Sequence, residues 1–511
     1  MRKSIWKQVV LAATLLAFIG APGAMAASDT FNMGLGADAR NLDPHKATDT
    51  MSFTVLKQIQ EPLFTVDGKT RELVPVLAEK YEVMDPQTYK IYLKKGVKFH
   101  NGEEMTAEDI VFSLTRVTQK ESVHSGNKGR QIDPEGFEVI DPYTLIVRTN
   151  GVLGGFLESM KHPFASIFNK KAVEDGGEEY FRNPVGTGPF KFKSWTKGEK
   201  VELERFDDYH GEKANFKNLN FLVIPDDSSR TIALETGKLD MMYAVPPSDV
   251  DRLDSGKDTK VVSGPGLRMI YLGMNTTRKP LNDPKVRLAI QHAVNKEAYG
   301  QVVYQGNSQA PQGPLVPASS FTPTNPDMYP FDPAKAKELL KEAGYPDGFS
   351  AELWTGNLQD HVNGATVLQS MLAQIGITLN VQVFEPGAML SKITSGDGEY
   401  DFFIAQWGMQ TTRSAGEYWY SLFYSESIPS SNWTRINDAE LDELTNKAQA
   451  ELDSDVRNEI LQQIWDRLHV LNPVAPLVVP SELYGARKNV GGIEDLADGQ
   501  INSLGGLTKG Q

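Results

Sequence analysis

Trp407, Gln410, Thr412, Arg413, Ser414, Glu417 and Trp419 stand within thirteen residues of one another, and their chemistry is that of recognition. Arg413 supplies a fixed cation and Glu417 an anion in one polar stretch, so a zwitterionic solute could engage both. Pairing of the two with each other is the equal alternative. Trp407 and Trp419 are the expected pocket walls, because a large flat ring with one polar atom gives contact area and orientation together. The other aromatic residues nearby, Tyr418, Tyr420, Phe423, Tyr424 and Trp433, are expected mostly in the core.

Catalysis needs a different constellation. The chain has no G-x-S-x-G elbow, no H-E-x-x-H pair and no Walker A loop. Its eight histidines are never closer than 24 residues in sequence, which excludes a local two-histidine metal clamp. With no cysteine at all, disulfides, thiolate nucleophiles and iron–sulfur centres are excluded, and no lipid-bearing cysteine follows the leader described below. Gly34, Gly36 and Ala39 imitate a dinucleotide fingerprint, but the Asn41–Pro44 turn stands where a helix should open. No enzyme activity, metal or cofactor is expected, although residues distant in sequence could still meet in the fold.

The element that must position the recognition stretch is Asp401–Trp407. Being nearly all apolar, it reads as a central strand covered on both faces. Ligands of open α/β sheets sit off the carboxyl ends of such strands, which places Gly408–Glu417 at a crevice.

At 511 residues and 40% hydrophobic the chain is too long for one core and divides into lobes. Arg2, Lys3 and Lys7 precede an apolar run, Val9–Ile19, and Ala24-Met25-Ala26 offers a cleavage site, so residues 1–26 read as a secretory signal. Its removal takes the formal charge from −14 to −17. Such an acidic surface repels phosphate backbones and anionic headgroups, so neither nucleic acid nor a membrane is an expected partner.

Short alternating strands between Leu73 and Arg148, with a helix from Thr106 to about Thr118, read as a small α+β unit. Helix–strand alternation resumes from Asp226. Strands at Met269–Met274 and Ala475–Val479 are expected to lie at two crossings between lobes. Glu235–Val245 and Ser395–Trp407 echo each other: a turn with Gly, an Asp, then a buried strand. Two lobes of related plan would explain the echo, and so would convergent turn chemistry.

Several runs then combine. Leu77–Tyr81, Lys94–Gly102, Thr106–Ser113, Pro184–Phe190, Met274-Asn275, Asp283–Arg287 and Ala343–Pro346 together resemble family 5 extracytoplasmic solute-binding proteins, the peptide and nickel-chelate receptors of ABC importers. The resemblance implies an α/β bilobal periplasmic binding protein fold, type II and cluster C-like, with an additional small α+β subdomain in lobe I. The expected partition is lobe I from residues 27–70, 183–268 and 479–511, the subdomain from 71–182, and lobe II from 269–478. It also implies a periplasmic, monomeric receptor that holds a small-molecule or peptide ligand between its lobes and delivers it to permease subunits.

Peptide receptors of the family place an Asp three residues after the loop tryptophan, where Gln410 stands here. The region that keeps a carboxylate-binding Arg in dipeptide receptors reads Trp354–His361 and has none. The hydroxyl residues before Gly416-Glu417 and the Lys337–Pro346 run look more like the glutathione-binding member. Glutathione or a related peptide is therefore the leading expectation, with another peptide, or a non-peptide or metal-chelate solute, as alternatives. The candidate ligand-binding set is completed by Asn357 and Arg268.

Overall fold

The computed structural model describes residues 29–66, 73–125, 129–153, 155–311, 313–326, 329–395, 398–409, 414–496 and 503–510. In chain order, the first large sheet takes β1 (Thr30–Leu35), β2 (Asn218–Val223), β3 (Met241–Tyr243) and β4 (Thr259–Gly264). The chain then enters a second sheet with β5 (Arg268–Met274), β6 (Phe349–Gly356), β7 (Ile377–Phe384), β8 (Phe402–Gly408) and β9 (Val474–Pro480), and returns to the first with β10 (Glu482–Arg487).

These sheets share a plan. The first runs β4–β10–β3–β1–β2, extended at the β2 end by Lys200–Arg205 and Phe190–Thr196; the second runs β9–β5–β8–β6–β7, extended at the β9 end by Ser308–Gln309. In the first, β1 is parallel to β2 and β3, and β10 is antiparallel to β3 and β4. In the second, β6 is parallel to β7 and β8, and β5 is antiparallel to β8 and β9. The echoing segments of the sequence thus supply β3 and β8, which occupy equivalent places. A lobe built on each sheet, and this matched order, make the molecule bilobal.

Burial follows the strand period. On β5 and β8, Ile270, Leu272, Phe402 and Ile404 enter one core of the second lobe, while Met269, Tyr271, Phe403 and Ala405 enter another on the opposite face. Both strands are therefore covered on both sides, as a near-continuous apolar run requires. A separate four-stranded sheet of Ala78–Asp85, Thr88–Leu93, Thr144–Thr149 and Ile132–Asp141 packs with the helix Ala107–Thr118 around its own core. That helix opens on a capping box in which Thr106 N–H donates to Asp109 Oδ2 at 2.9 Å.

Only two connections between the large sheets are needed by this topology, β4 to β5 and β9 to β10, and they touch. A Cβ on Gly266 would lie 2.4 Å from the Pro480 carbonyl oxygen and 2.4 Å from Val479 Cγ1. Glycine is required there because backbone faces backbone. Gly266→Ala is expected to destabilise the protein by about 1–3 kcal/mol, as overpacking does, measured by urea denaturation. A wild-type midpoint would show that the crossings separate freely.

Candidate ligand site in the crevice

The strand β8 is anchored at its start. Asn275 Nδ2 donates to the carbonyls of Gly398 and Tyr400 at 2.9 and 3.0 Å. Asp401 accepts from Arg278 Nε at 2.6 Å and from the backbone N–H of Glu352 at 2.9 Å. These bonds fix β8 against β6, so the carboxyl ends of both parallel strands open on the same side. Arg268 opens β5 there too, opposite Gly408.

A hinge-side cavity of about 470 Å³ lies between the sheets at this edge, lined by Tyr243 and Glu482 of the first lobe and by Arg268, Tyr304 and Asp360 of the second. Its carboxylates are engaged: Tyr243 Oη–H donates to Glu482 at 2.8 Å and Tyr304 Oη–H to Asp360 at 2.8 Å. Burial first, then the adjoining carboxylate, raises the pKa of both tyrosines, so both remain neutral donors. Burial opposes the charge on Arg268, yet Glu482, Tyr243, Tyr304 and Asp360 outweigh it and hold the guanidinium above its ordinary value.

Next to it, sharing Leu358, is a mostly apolar cavity of about 180 Å³ bounded by Met389, Leu390, Ile393, Trp433, Gln406 and His361. Arg268 Nη1 donates to Gln406 Oε1 at 3.1 Å across the wall between them. A third cavity, about 210 Å³, separates the small subdomain from the second lobe and is lined by Glu158 on one side and Ser414, Glu417 and Arg457 on the other.

A model of the bacterial extracellular solute-binding proteins, family 5, matches residues 72–429. The glutathione-binding protein GsiB of Salmonella paratyphi A is 30% identical over 510 residues, covering 98% of each chain. The chain belongs to family 5 of the bacterial extracellular solute-binding proteins. Among solved structures of the family, the periplasmic binding protein DppA of Helicobacter pylori, in complex with the peptide STSA, has a TM-score of 0.82 and 29% identity, covering 94% of this chain and 98% of that one. CtaP of Listeria monocytogenes, at 24% identity and a TM-score of 0.84 with 95% and 100% covered, shares the fold. The bilobal type II fold expected from the resemblance is the fold of this solute-binding protein.

Within it, the expected ligand residues separate. Ser414 caps the helix Ala415–Phe423 and lines the third cavity with Glu417. Arg268 lines the hinge-side cavity. Asn357 is exposed at the end of β6, and Trp407 is half-buried at the end of β8. Gln410, Thr412 and Arg413 lie outside the described residues. Trp419 corrects the expectation of a pocket wall: it is 1% exposed and its Nε1–H donates to the Pro314 carbonyl at 2.8 Å. The reason is helical. Once the helix starts at Ala415, Ala415, Tyr418, Trp419, Leu422 and Phe423 form its inner face, and the rings enter the core.

Sequence reasoning missed Glu158, Arg457 and Tyr304, each brought to the crevice by an element remote from the aromatic stretch, and passed over Asp360 and His361 because it looked in the Trp354–His361 region for an arginine. Among them Glu158 is electrostatically costly. Burial raises its pKa first, with Arg457 opposing and Glu417 adding to the rise.

Two measurements follow from this geometry. Trp419→Ala is expected to cost about 3–5 kcal/mol by denaturant titration, and Trp407→Ala distinctly less; equal costs would place both rings in the core. A carboxyl whose folded pKa is raised favours folding below its unfolded value, and that contribution is lost as pH rises through the folded value. Glu158→Gln should therefore raise the melting temperature of the ligand-free protein at neutral pH, with the gain vanishing in acid where both side chains are neutral. A constant difference across the pH series would overturn this account.

Proposed function

We propose that this solute-binding protein is the receptor of an ABC importer, capturing a small peptide or peptide-like solute between its two lobes and handing it to permease subunits. The observation that carries this reading is the pair of matched lobes joined by two touching crossings, with polar cavities between them. Such a hinge permits closure around a ligand while leaving each core intact. The relatives named for glutathione and for a peptide complex support a peptide-type solute. The basic, apolar leader of residues 1–26 supports a periplasmic site of action. The protein acts as a monomer without chemistry, and carrier and cargo part unchanged.

Affinity in the micromolar to nanomolar range corresponds to about −8 to −12 kcal/mol. Two or three charge-assisted hydrogen bonds at about 1.5–3 kcal/mol each, with apolar burial, reach that range. Glu417, held on the first turn of its helix beside Ser414, faces the third cavity as an acceptor for a ligand amine.

Native mass spectrometry of protein taken from its own periplasm is expected to show one small bound solute of unchanged mass, and re-addition of that solute should raise the melting temperature and shrink the particle in solution scattering. A broad panel of peptides, glutathione forms and chelates that moves neither quantity would reject the receptor reading. If the bound solute carries an amine, Glu417→Gln should weaken it at least tenfold, about 1.4 kcal/mol, by calorimetry; an unaltered Kd would remove Glu417 from the site.

A further inference from the structure

The small subdomain is seated on the first lobe through imidazoles whose tautomers the geometry fixes. His45, in the turn of the first lobe that follows Leu42, places Nε2 at 2.8 Å from the Phe164 carbonyl oxygen and Nδ1 at 2.8 Å from Arg116 Nη1 on the subdomain helix. A carbonyl only accepts and a guanidinium only donates. His45 therefore carries its proton on Nε2 and needs Nδ1 bare. Beside it, Asp43 accepts from Arg116 through both carboxylate oxygens, at 2.9 and 2.6 Å, and from the His45 backbone N–H at 2.9 Å.

His100 repeats the arrangement from the other side of the seam. It follows Phe99 of the subdomain core, and its ring clasps the Pro184–Phe190 turn of the first lobe: Nδ1 accepts from the Gly186 N–H at 3.2 Å and Nε2–H donates to the Gly188 carbonyl at 2.9 Å. That turn is wedged against the end of the helix Thr50–Ile59, where a Cβ on Gly186 would lie 2.0 Å from the Ile59 carbonyl oxygen. The seam cannot shift to follow a changed ring. The charged groups facing the rings are cationic or already paired: Arg116 and His124 at His45, where Arg116 holds Asp43, and Lys191 at His100. Burial first, then Arg116, holds His45 well below the ordinary imidazole range; burial, with the Gly188 carbonyl opposing and Lys191 adding, pushes His100 down to about 4.

We infer that this seam is an acid-labile latch: a second proton on His45 and on His100 removes the acceptors that Arg116 and the Gly186 N–H require, and the subdomain lifts from the first lobe while the two large sheets stay folded. The helix Phe156–Ser159 carries Phe156 and Glu158 of the third cavity, so unseating the subdomain removes one wall of that cavity. The latch rests on the seam alone and holds for any solute. Because the folded values lie below the ordinary imidazole value of 6.5, the neutral rings stabilise the seam fully above it, and that contribution falls away as pH drops toward the folded values.

Hydrogen–deuterium exchange of the mature full-length protein between about pH 7 and about pH 4.5, corrected for the intrinsic exchange rate, tests this. The amides of His100, Val123, Ile167 and Gly186, which bond across the seam, are expected to lose protection in acid while those of β1 and β5 keep theirs. With two protons taken up, the opening constant should rise by up to about a hundredfold per pH unit. His45→Asn and His100→Asn, whose side-chain oxygen accepts in place of Nδ1 without titrating, should each reduce that slope to about tenfold, and the double variant should abolish it. Seam and sheets losing protection together at one pH, or an unchanged slope in the double variant, would overturn the latch. Should a variant fail to fold, histidine-labelled wild-type protein gives an independent reading by NMR: at about pH 6 both rings must be neutral with the proton on Nε2. Either ring charged there, or protonated on Nδ1, would equally overturn it.

Discussion

Everything in this molecule depends on the close passage of two backbones at the hinge. Gly266 faces the Pro480 carbonyl with no room for a side chain between them, so the two crossings behave as one narrow strap. Each large sheet contributes one outgoing and one incoming strand to it, β4 and β10 on one side, β9 and β5 on the other. Because the connection is narrow, the lobes keep separate cores and can change their relative angle without breaking either. Because it is touching, that change is confined to a rotation about few residues.

The same constraint explains why the polar side chains gather where they do. Arg268 and Glu482 are the first residues after the two crossings to join a sheet, so the topology brings opposite charges from opposite lobes to one edge of the crevice. They do not pair. Tyr243 and Tyr304 instead satisfy the carboxylates from within their own lobes, which keeps the lobes from being locked together by a buried ion pair. A buried pair that must break on opening would resist motion, since leaving one charge unpaired is strongly unfavourable.

Much of this frame is legible in the residues. The apolar run Asp401–Trp407 reads as a strand covered on both faces, and β8 is one. Asp226 and Gly237 bracket a helix whose cap and terminator they are, with Gly237 at φ +76°. The sequence echo between Glu235–Val245 and Ser395–Trp407 marks equivalent strands. The site is less legible, for two physical reasons. The aromatic stretch after Gly408 reads as a loop, yet its helical spacing sends Trp419 inward, a distinction that short aromatic runs do not declare. And the cavity walls are assembled from Glu158, Tyr304, Asp360 and Arg457, which lie on four segments whose proximity only the tertiary packing creates.

A receptor that holds desolvated, underused donors beside an apolar cavity is less stable than it could be, and that cost has a role. Binding strength in a closing crevice comes from the difference between open and closed states, so groups already satisfied by the protein contribute little to it. Among the described residues the side chain of Arg268 bonds to the neutral Gln406 and forms no ion pair, so no internal salt bridge would have to break before a ligand acceptor could use the rest of its fork. The tyrosine-held carboxylates stay in place as fixed negative charges on the wall of the same cavity. Charged side chains line the hinge-side cavity and mostly apolar ones the cavity beside it, so a solute reaching into both would be selected by charge in the one and by shape in the other.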